Sequence, residues 1–234
     1  MITLYKYRPF NDFLKPIILS QKIWFPTRAR LNDPEDLQLN LINDVDAEIY
    51  RQHLISRAEE ISMPRKLLKY NLKRGFAANG EISAEAKKKI GRSQTILQQQ
   101  FDSLGILSLS DAKNSSVLWE RYGDQEKGVC ISFRMEVTET LVKVEYETPR
   151  PQLRLSELLL CPHADKVLIK ILKTKTTKWS EESEWRYFLK KGNNEFPFLG
   201  AIETIMLGKK MSDANRQIIA HWVAAANRPI VIEE

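Results

Sequence analysis

Apolar and polar positions alternate over residues 2–7, the period of two that marks a strand with one buried face. Short runs rich in β-branched and aromatic residues recur at Lys22 to Phe25, Gly105 to Ser110, Gly128 to Phe133, Leu141 to Tyr146, Glu184 to Leu189, Ala201 to Leu207 and Pro229 to Ile232. Each reads as a strand. Between the Lys22 to Phe25 and Gly105 to Ser110 strands the pattern changes. Residues 44–103 are strongly charged, and their apolar positions fall at helical spacing. Ala47, Ile49, Tyr50, Leu54 and Ala58 make one helix, and Pro64 opens a second through Leu67, Leu68 and Leu72. Ser83 is the cap of a third helix, from Glu85 to Phe101. Shorter helices are expected over Asn11 to Ser20, over Leu153 to Leu160, and from a Ser212 cap through Ala226, with Asp213 at the positive end of the last. Ser115 to Tyr122 reads as a short helix or tight turn, and Lys166 to Leu172 fits a strand or a helix equally.

Strands on both sides of a helical block predict an α+β protein. The expected architecture is a curved or split, mainly antiparallel β core in a single domain over residues 1–234, with a helical insertion at about 44–103. Composition agrees with a globular chain: 43% of the residues are hydrophobic and 28% charged. No apolar run reaches the roughly 18 residues needed to span a bilayer. The N-terminus has neither the apolar core nor the cleavage site of a signal peptide, so no membrane partner and a cytoplasmic location are expected.

Two cysteines, Cys130 and Cys161, form no CxxC pair, and His53, His163 and His221 show no ligand spacing. No metal is expected, and a Cys130–Cys161 disulfide is the less favoured alternative to free thiols in a reducing compartment. The net charge of +6 suits polyanions, either nucleic acid or the phosphates of a dinucleotide.

The densest chemistry lies between Trp179 and Tyr187, where Glu182, Glu184 and Arg186 alternate with bulky residues. On a strand these three share one face, and Trp185 and Tyr187 turn to the other. Two carboxylates and a guanidinium in one row make either a catalytic surface or a structural ion-pair network. Arg8, at a strand end before Pro9, is a fork for phosphate or carboxylate, or else a buried partner of Glu184 or Asp33. Trp119 and Tyr122, three apart, form a stacking surface or a core pair, with Arg121 turned to a cleft or to solvent. Asn32-Asp33-Pro34 is a turn that satisfies its own backbone donors, or a ligand loop. Lys170, Lys173, Lys175 and Lys178 form a basic run that either tracks a nucleic-acid backbone or is a solvated face.

Several of these segments, in order, carry a resemblance. They are Leu4-Tyr5-Lys6-Tyr7-Arg8; Asn32-Asp33-Pro34; Leu109-Ser110; Leu118 to Asp124; Lys127 to Phe133; Lys178-Trp179 with Glu182 to Arg186; and Ile205 to Gly208. Together they resemble the bacterial and phage family called domain of unknown function 2971. More distantly, an arginine on the first strand and Glu182-Ser183-Glu184 on a late one resemble the ADP-ribosyltransferase superfamily.

That second resemblance implies an NAD-dependent mono-ADP-ribosyltransferase-like enzyme acting on a protein or nucleic-acid acceptor, as a toxin or phage-defence factor. In it Glu184 holds the ribose 2′-hydroxyl, Glu182 activates the acceptor, and Arg8 contacts phosphate or ribose. Ser108 and Ser110 supply hydroxyls where the superfamily has a Ser-Thr-Ser motif. Trp119 and Tyr122 join Arg8 at the NAD, and Asn32, Asp33, Arg121 and Arg186 contact the substrate. A carboxylate beside the ribose suits this chemistry because cleavage of the nicotinamide bond develops positive charge on the sugar. The alternatives are a non-catalytic, defence-associated or nucleic-acid-binding module, and a catalytically dead scaffold on the same fold.

Overall fold

The computed structural model describes residues 1–160, 164–198 and 200–234; Cys161 and His163 lie outside them. The elements in chain order are β1 (Ile2–Arg8), α1 (Leu14–Ser20), β2 (Lys22–Phe25), β3 (Leu41–Ile42), α2 (Ala47–Glu60), α3 (Arg65–Gly75) and α4 (Ala84–Ser103). Then come β4 (Gly105–Ser110), α5 (Ser116–Arg121), β5 (Val129–Met135), β6 (Leu141–Lys143), β7 (Glu145–Tyr146), β8 (Leu153–Arg154), α6 (Leu155–Leu160) and α7 (Ala164–Lys173). The chain closes with β9 (Thr174–Lys175), β10 (Glu184–Leu189), β11 (Asn194–Pro197), β12 (Ala201–Leu207), α8 (Asp213–Ala225) and β13 (Val231–Glu233). The architecture is mixed α+β with a mainly antiparallel sheet.

Two compact units form. The first comprises Met1–Asp36, Ser103–Thr148 and Lys175–Glu234, and the second Leu37–Asp102 and Pro149–Thr174. The first unit is built on a seven-stranded sheet of order β13-β12-β5-β1-β4-β10-β6, in which only β12 and β13 run parallel among the described pairs. Alternation along the strands explains its core. Leu4, Leu107, Leu109, Ile131, Phe133, Tyr187 and Ile205 bury against Leu14, Ile17 and Ile18 of α1 and Ile219 of α8. Each fully buried side chain of this kind is worth about 1.5–3 kcal/mol relative to exposure. The opposite face carries Tyr7, Cys130 and Trp119, with the Tyr7 and Trp119 rings edge-on at 5.2 Å.

The central strand is paired unequally on its two sides. With β5 it keeps register from Ile2↔Met135 to Arg8↔Val129, whereas with β4 it shares one bridge, Tyr5↔Ser110. Beyond that bridge the sheet is split. Ile106 N–H turns instead to the Pro26 carbonyl at 2.9 Å, at the end of β2. At the Arg8 end Gly128 is required, because a Cβ there would collide with the Arg8 carbonyl. This glycine lets β1 and β5 stay together up to Arg8.

In the second unit Tyr50, Ile82 and Ala86 form a small core with Leu54 and Phe76 packed on it. Asp46 caps α2 through the Ile49 N–H at 2.8 Å, and Ser83 accepts from the Ala86 N–H at 3.2 Å at the start of α4. Lys166 to Leu172, left open between strand and helix, lies within helix α7. Leu141 to Tyr146 is not one strand but two, broken at Val144, whose N–H donates to the Glu184 carbonyl at 2.9 Å. The short β11 is an addition; it pairs with β2 from Asn194↔Phe25 to Pro197↔Lys22. Among the described residues no helix is long and apolar enough to cross a membrane.

Candidate functional site

The split in the sheet opens into a cavity of about 890 Å³, lined by Tyr5 to Pro9 on one side and Ile106 to Ser110 on the other. Lys6 and Arg8 share the strand parity of Leu4, which would send them into the core. Because β4 has moved away, they line the cavity instead. Trp24, Arg30, Asn32, Asp36, Arg121, Tyr122, Lys175, Glu182 and Glu184 complete the polar and aromatic wall.

The carboxylate row takes a form that alternation alone does not give. Glu184 and Arg186 do lie on β10 and bond one another, Nε to Oε1 at 3.0 Å and Nη2 to Oε2 at 3.1 Å. Glu182 is not on that strand. It ends a 3₁₀ turn, Thr177–Glu182, and Ser183 in the left-handed region (φ 44°) doubles the chain back. Lys175 then bridges the two acids, with Nζ 2.6 Å from Glu182 Oε2 and 2.9 Å from Glu184 Oε2. Asp36 completes the group by accepting from Arg186 Nη2 at 2.6 Å. All five residues are buried, and Arg186 is fully so.

Burial weighs against charge on Glu184, but Arg186 and Lys175 outweigh it and hold the carboxyl at about 2. Burial likewise opposes the Lys175 ammonium, and Glu184 and Glu182 overcome it, raising its pKa. At Asp36 burial prevails over Arg186 and the carboxyl is pushed up. Asp36 Oδ1 has no hydrogen-bond partner among the described residues, an uncompensated acceptor in a residue that lines the cavity.

Across the cavity the chemistry is opposite. The Arg8 side chain makes no hydrogen bond or ion pair among the described residues, and burial lowers its pKa. Lys6 donates to the Ser108 carbonyl at 2.6 Å, and burial, with the charge of Arg8, brings its pKa down to about 8. A desolvated guanidinium without a counter-ion is costly to keep and is a ready receptor for an anion.

The remaining sequence candidates fall at several distances from this chemistry. Tyr122 and Asn32 line the cavity and form a relay: the Asn32 amide donates to Tyr122 Oη at 2.6 Å, and Tyr122 Oη donates to Glu182 Oε1 at 2.6 Å. Arg121 lies 3.7 Å from Glu182 and over the Trp179 ring at 5.2 Å. Ser108 lines the cavity and supports the Glu184 carboxylate. Ser110 is used structurally, donating to the Glu182 carbonyl at 2.7 Å and accepting from Ala112 N–H at 3.0 Å. Asp33 is buried in its own turn, accepting from Glu35 N–H and from Trp179 Nε1 at 2.7 Å. Trp119 is in the core with Tyr7 and does not line the cavity. Arg186 is sealed behind Glu184, so it positions that carboxylate.

Lys175 corrects the reading of the basic run, since it is 3% exposed and turned inward among the acids. Neither Lys175 nor Asp36 was singled out as a site residue from sequence. Cys130 is a buried free thiol whose pKa burial pushes up to about 12. Among the described residues no group of three or more His, Cys, Asp or Glu side chains is placed to hold a metal.

Comparison with known families bears on the stretch that carries most of these acids. Residues 118–187 match the family model described as "Protein of unknown function (DUF2971)". That stretch, less than half of the 234 residues, is similar to the DUF2971 family. The matched segment includes Tyr122, Lys175, Glu182, Glu184 and Arg186 of the cavity wall and its support, whereas Arg8 and Asp36 lie outside it. No curated protein and no solved structure matches the chain.

Proposed function

We propose that this protein binds NAD in the split of its sheet and acts as a mono-ADP-ribosyltransferase-like enzyme. The observation that carries the reading is one cavity lined both by a half-buried guanidinium, Arg8, whose side chain has no partner among the described residues, and by the ionised carboxylate of Glu184. Its volume of about 890 Å³ falls in the range of cofactor-sized pockets. Arg8 and Lys6 suit a diphosphate, Asp36 Oδ1 is an acceptor for a ribose hydroxyl, and the rings of Trp24 and Tyr5 are flat surfaces for a heterocycle.

In this reading Glu184 is an electrostatic stabiliser and not a base, because its pKa near 2 makes it a weak proton acceptor. The bond from ribose C1′ to nicotinamide breaks, and its electron pair leaves on the ring nitrogen. The positive charge that develops on the ribose is met by the fixed carboxylate. The acceptor nucleophile bonds to C1′ and its proton passes to Glu182 Oε1, where Tyr122 now donates. Lys175 holds both acids in place and, with Arg186, keeps Glu184 ionised.

The test is nicotinamide release from NAD in a cell lysate, which supplies acceptors, paired with calorimetric NAD binding to the purified protein. Wild type should do both. Glu184→Gln should abolish release, and Arg8→Gln should weaken binding at least tenfold. Folded wild-type protein that neither binds NAD nor releases nicotinamide sinks the proposal. Binding without release would keep the site and favour a non-catalytic NAD binder, a reading consistent with both Glu184 oxygens already being bonded.

A further inference from the structure

The net charge is not shared between the two units. Leu37–Asp102 with Pro149–Thr174 holds sixteen Lys and Arg against ten Asp and Glu, whereas the first unit holds twenty of each. The whole +6 therefore belongs to the helical unit. Within it the segment from Ile61 to Gly80 contains Arg65, Lys66, Lys69, Lys73 and Arg74 and no acid.

Helix α3 concentrates this charge on one side. At about 100° per residue, Arg65, Lys69, Lys73 and Lys66 fall within an arc of roughly 100°. All four are exposed, and none has a hydrogen bond or ion pair among the described residues. Arg74 differs, since it is held bidentate by Glu85 at 2.6 and 2.7 Å. The face beside this arc, Leu68, Asn71 and Leu72, is half-buried, and α2 packs near its end, with Leu54 and Tyr50 against Gly75.

Two physical costs set this arrangement apart from an ordinary solvated face. Arg65 and Lys66 stand in the first turn, where the helix dipole disfavours cations, and that turn has no acid. Lys66, Lys69 and Lys73, with Arg65, also repel one another at i,i+3 and i,i+4 spacing. Neither cost stabilises the fold, and both are relieved by a polyanion.

We infer that α3 is a docking surface for the phosphodiester backbone of a nucleic acid. Charge complementarity selects this partner over an anionic membrane. An interfacial helix needs a broad apolar face to bury among lipids, and here the apolar side is turned into the unit, leaving only Leu67 and Tyr70 exposed. The stripe Arg65–Lys69–Lys73 rises about 12 Å, enough to meet several phosphates of one groove. The inference stands apart from the NAD reading, because it uses no residue of the cavity.

The test is fluorescence anisotropy of the full chain with labelled random-sequence duplex DNA, duplex RNA and single strands, from 50 to 200 mM NaCl. Four phosphate contacts predict a slope near −3.6 in log affinity against log salt on B-DNA, about a hundredfold loss over that range. The variant Arg65→Gln, Lys66→Gln, Lys69→Gln, Lys73→Gln should flatten the slope on whichever nucleic acid binds and weaken it at 50 mM. A control removing four exposed lysines of the first unit (Lys127, Lys190, Lys191 and Lys209 to Gln) should retain the slope. Gln preserves helix propensity, and circular dichroism checks the fold. Three outcomes overturn the inference: no wild-type binding at 50 mM, equal losses in the two variants, or binding only to phosphatidylserine vesicles.

Discussion

The two ends of the cavity treat buried charge in opposite ways. At one end Lys175 and Arg186 are matched to Glu182, Glu184 and Asp36 by four contacts of 3.0 Å or less. At the other, among the described residues, the Arg8 side chain has no bonded partner and the Lys6 ammonium has only a backbone carbonyl. The first arrangement can be explained by folding, because each ion compensates its neighbour's desolvation. The second cannot, because leaving a cation desolvated and single lowers stability. The comparison teaches where to look for ligand: the paired end is a rigid frame, and the unpaired end keeps bonding capacity for something outside the chain.

The strongest way to break the comparison is to unpair the paired end. Arg186→Met leaves Glu184 and Asp36 sharing Lys175 in a buried setting, and should cost about 3–5 kcal/mol in denaturant unfolding. A cost below about 1 kcal/mol would mean that the cluster is wetter and looser than its geometry. Acid probes the same end without mutation. The Glu184 carboxyl takes up its proton at about 2 in the folded protein, against 4.5 ordinarily. The unfolded chain therefore binds protons first, and stability present above pH 4.5 should fall as pH drops toward 2. In Arg186→Met this window should narrow, because the main charge holding the carboxyl down is gone.

The next effect separates binding from folding. Arg8→Gln removes a cation without breaking a bond, so thermal stability should hold or rise. Binding of NAD or ADP should weaken by about 1.5–3 kcal/mol, the size of a charge-assisted hydrogen bond, which is at least tenfold. A variant that loses stability and keeps its affinity would show that Arg8 is structural, and that the two ends of the cavity do not differ in kind.

Much of the frame was legible because it follows short periods. Alternation found β1, β4, β10 and β12, and Asp213 and Ser212 marked the start of α8. Glu184 and Arg186 were visible as neighbours because they lie two apart on one strand. Glu182 shared their spacing without sharing their strand, since nothing local declares that Ser183, a non-glycine residue, takes φ 44°. Asp36 was out of reach, because its meeting with Arg186 depends on long-range packing. Lys175 was hidden inside a run of lysines. Its one local signal is Thr174 and Thr176 on either side, β-branched flanks that favour a strand over a solvated coil. The split itself has no local signature, because pairing with β4 fails beyond Tyr5↔Ser110 while pairing with β5 continues.

The smallest expected effect sharpens the unpaired end. The Lys6 ammonium loses its proton at about 8 in the folded protein, against 10.5 ordinarily, because burial and Arg8 disfavour its charge. Between those values the unfolded chain holds the proton that the folded protein has released, so stability should rise with pH across the window. The gain should be about 1 kcal/mol or less once solvent at the cavity mouth screens the group. Urea midpoints at pH 7.5 and pH 10 should show it in wild type and lose it in Lys6→Met. The same titration should act on binding with the opposite sign. Above pH 8 one of the two cations facing a diphosphate is neutral, so NAD affinity should fall in wild type and stay level in Lys6→Met. If stability and affinity instead move together with pH, Lys6 is tied to the folded frame, and Arg8 alone carries the binding end.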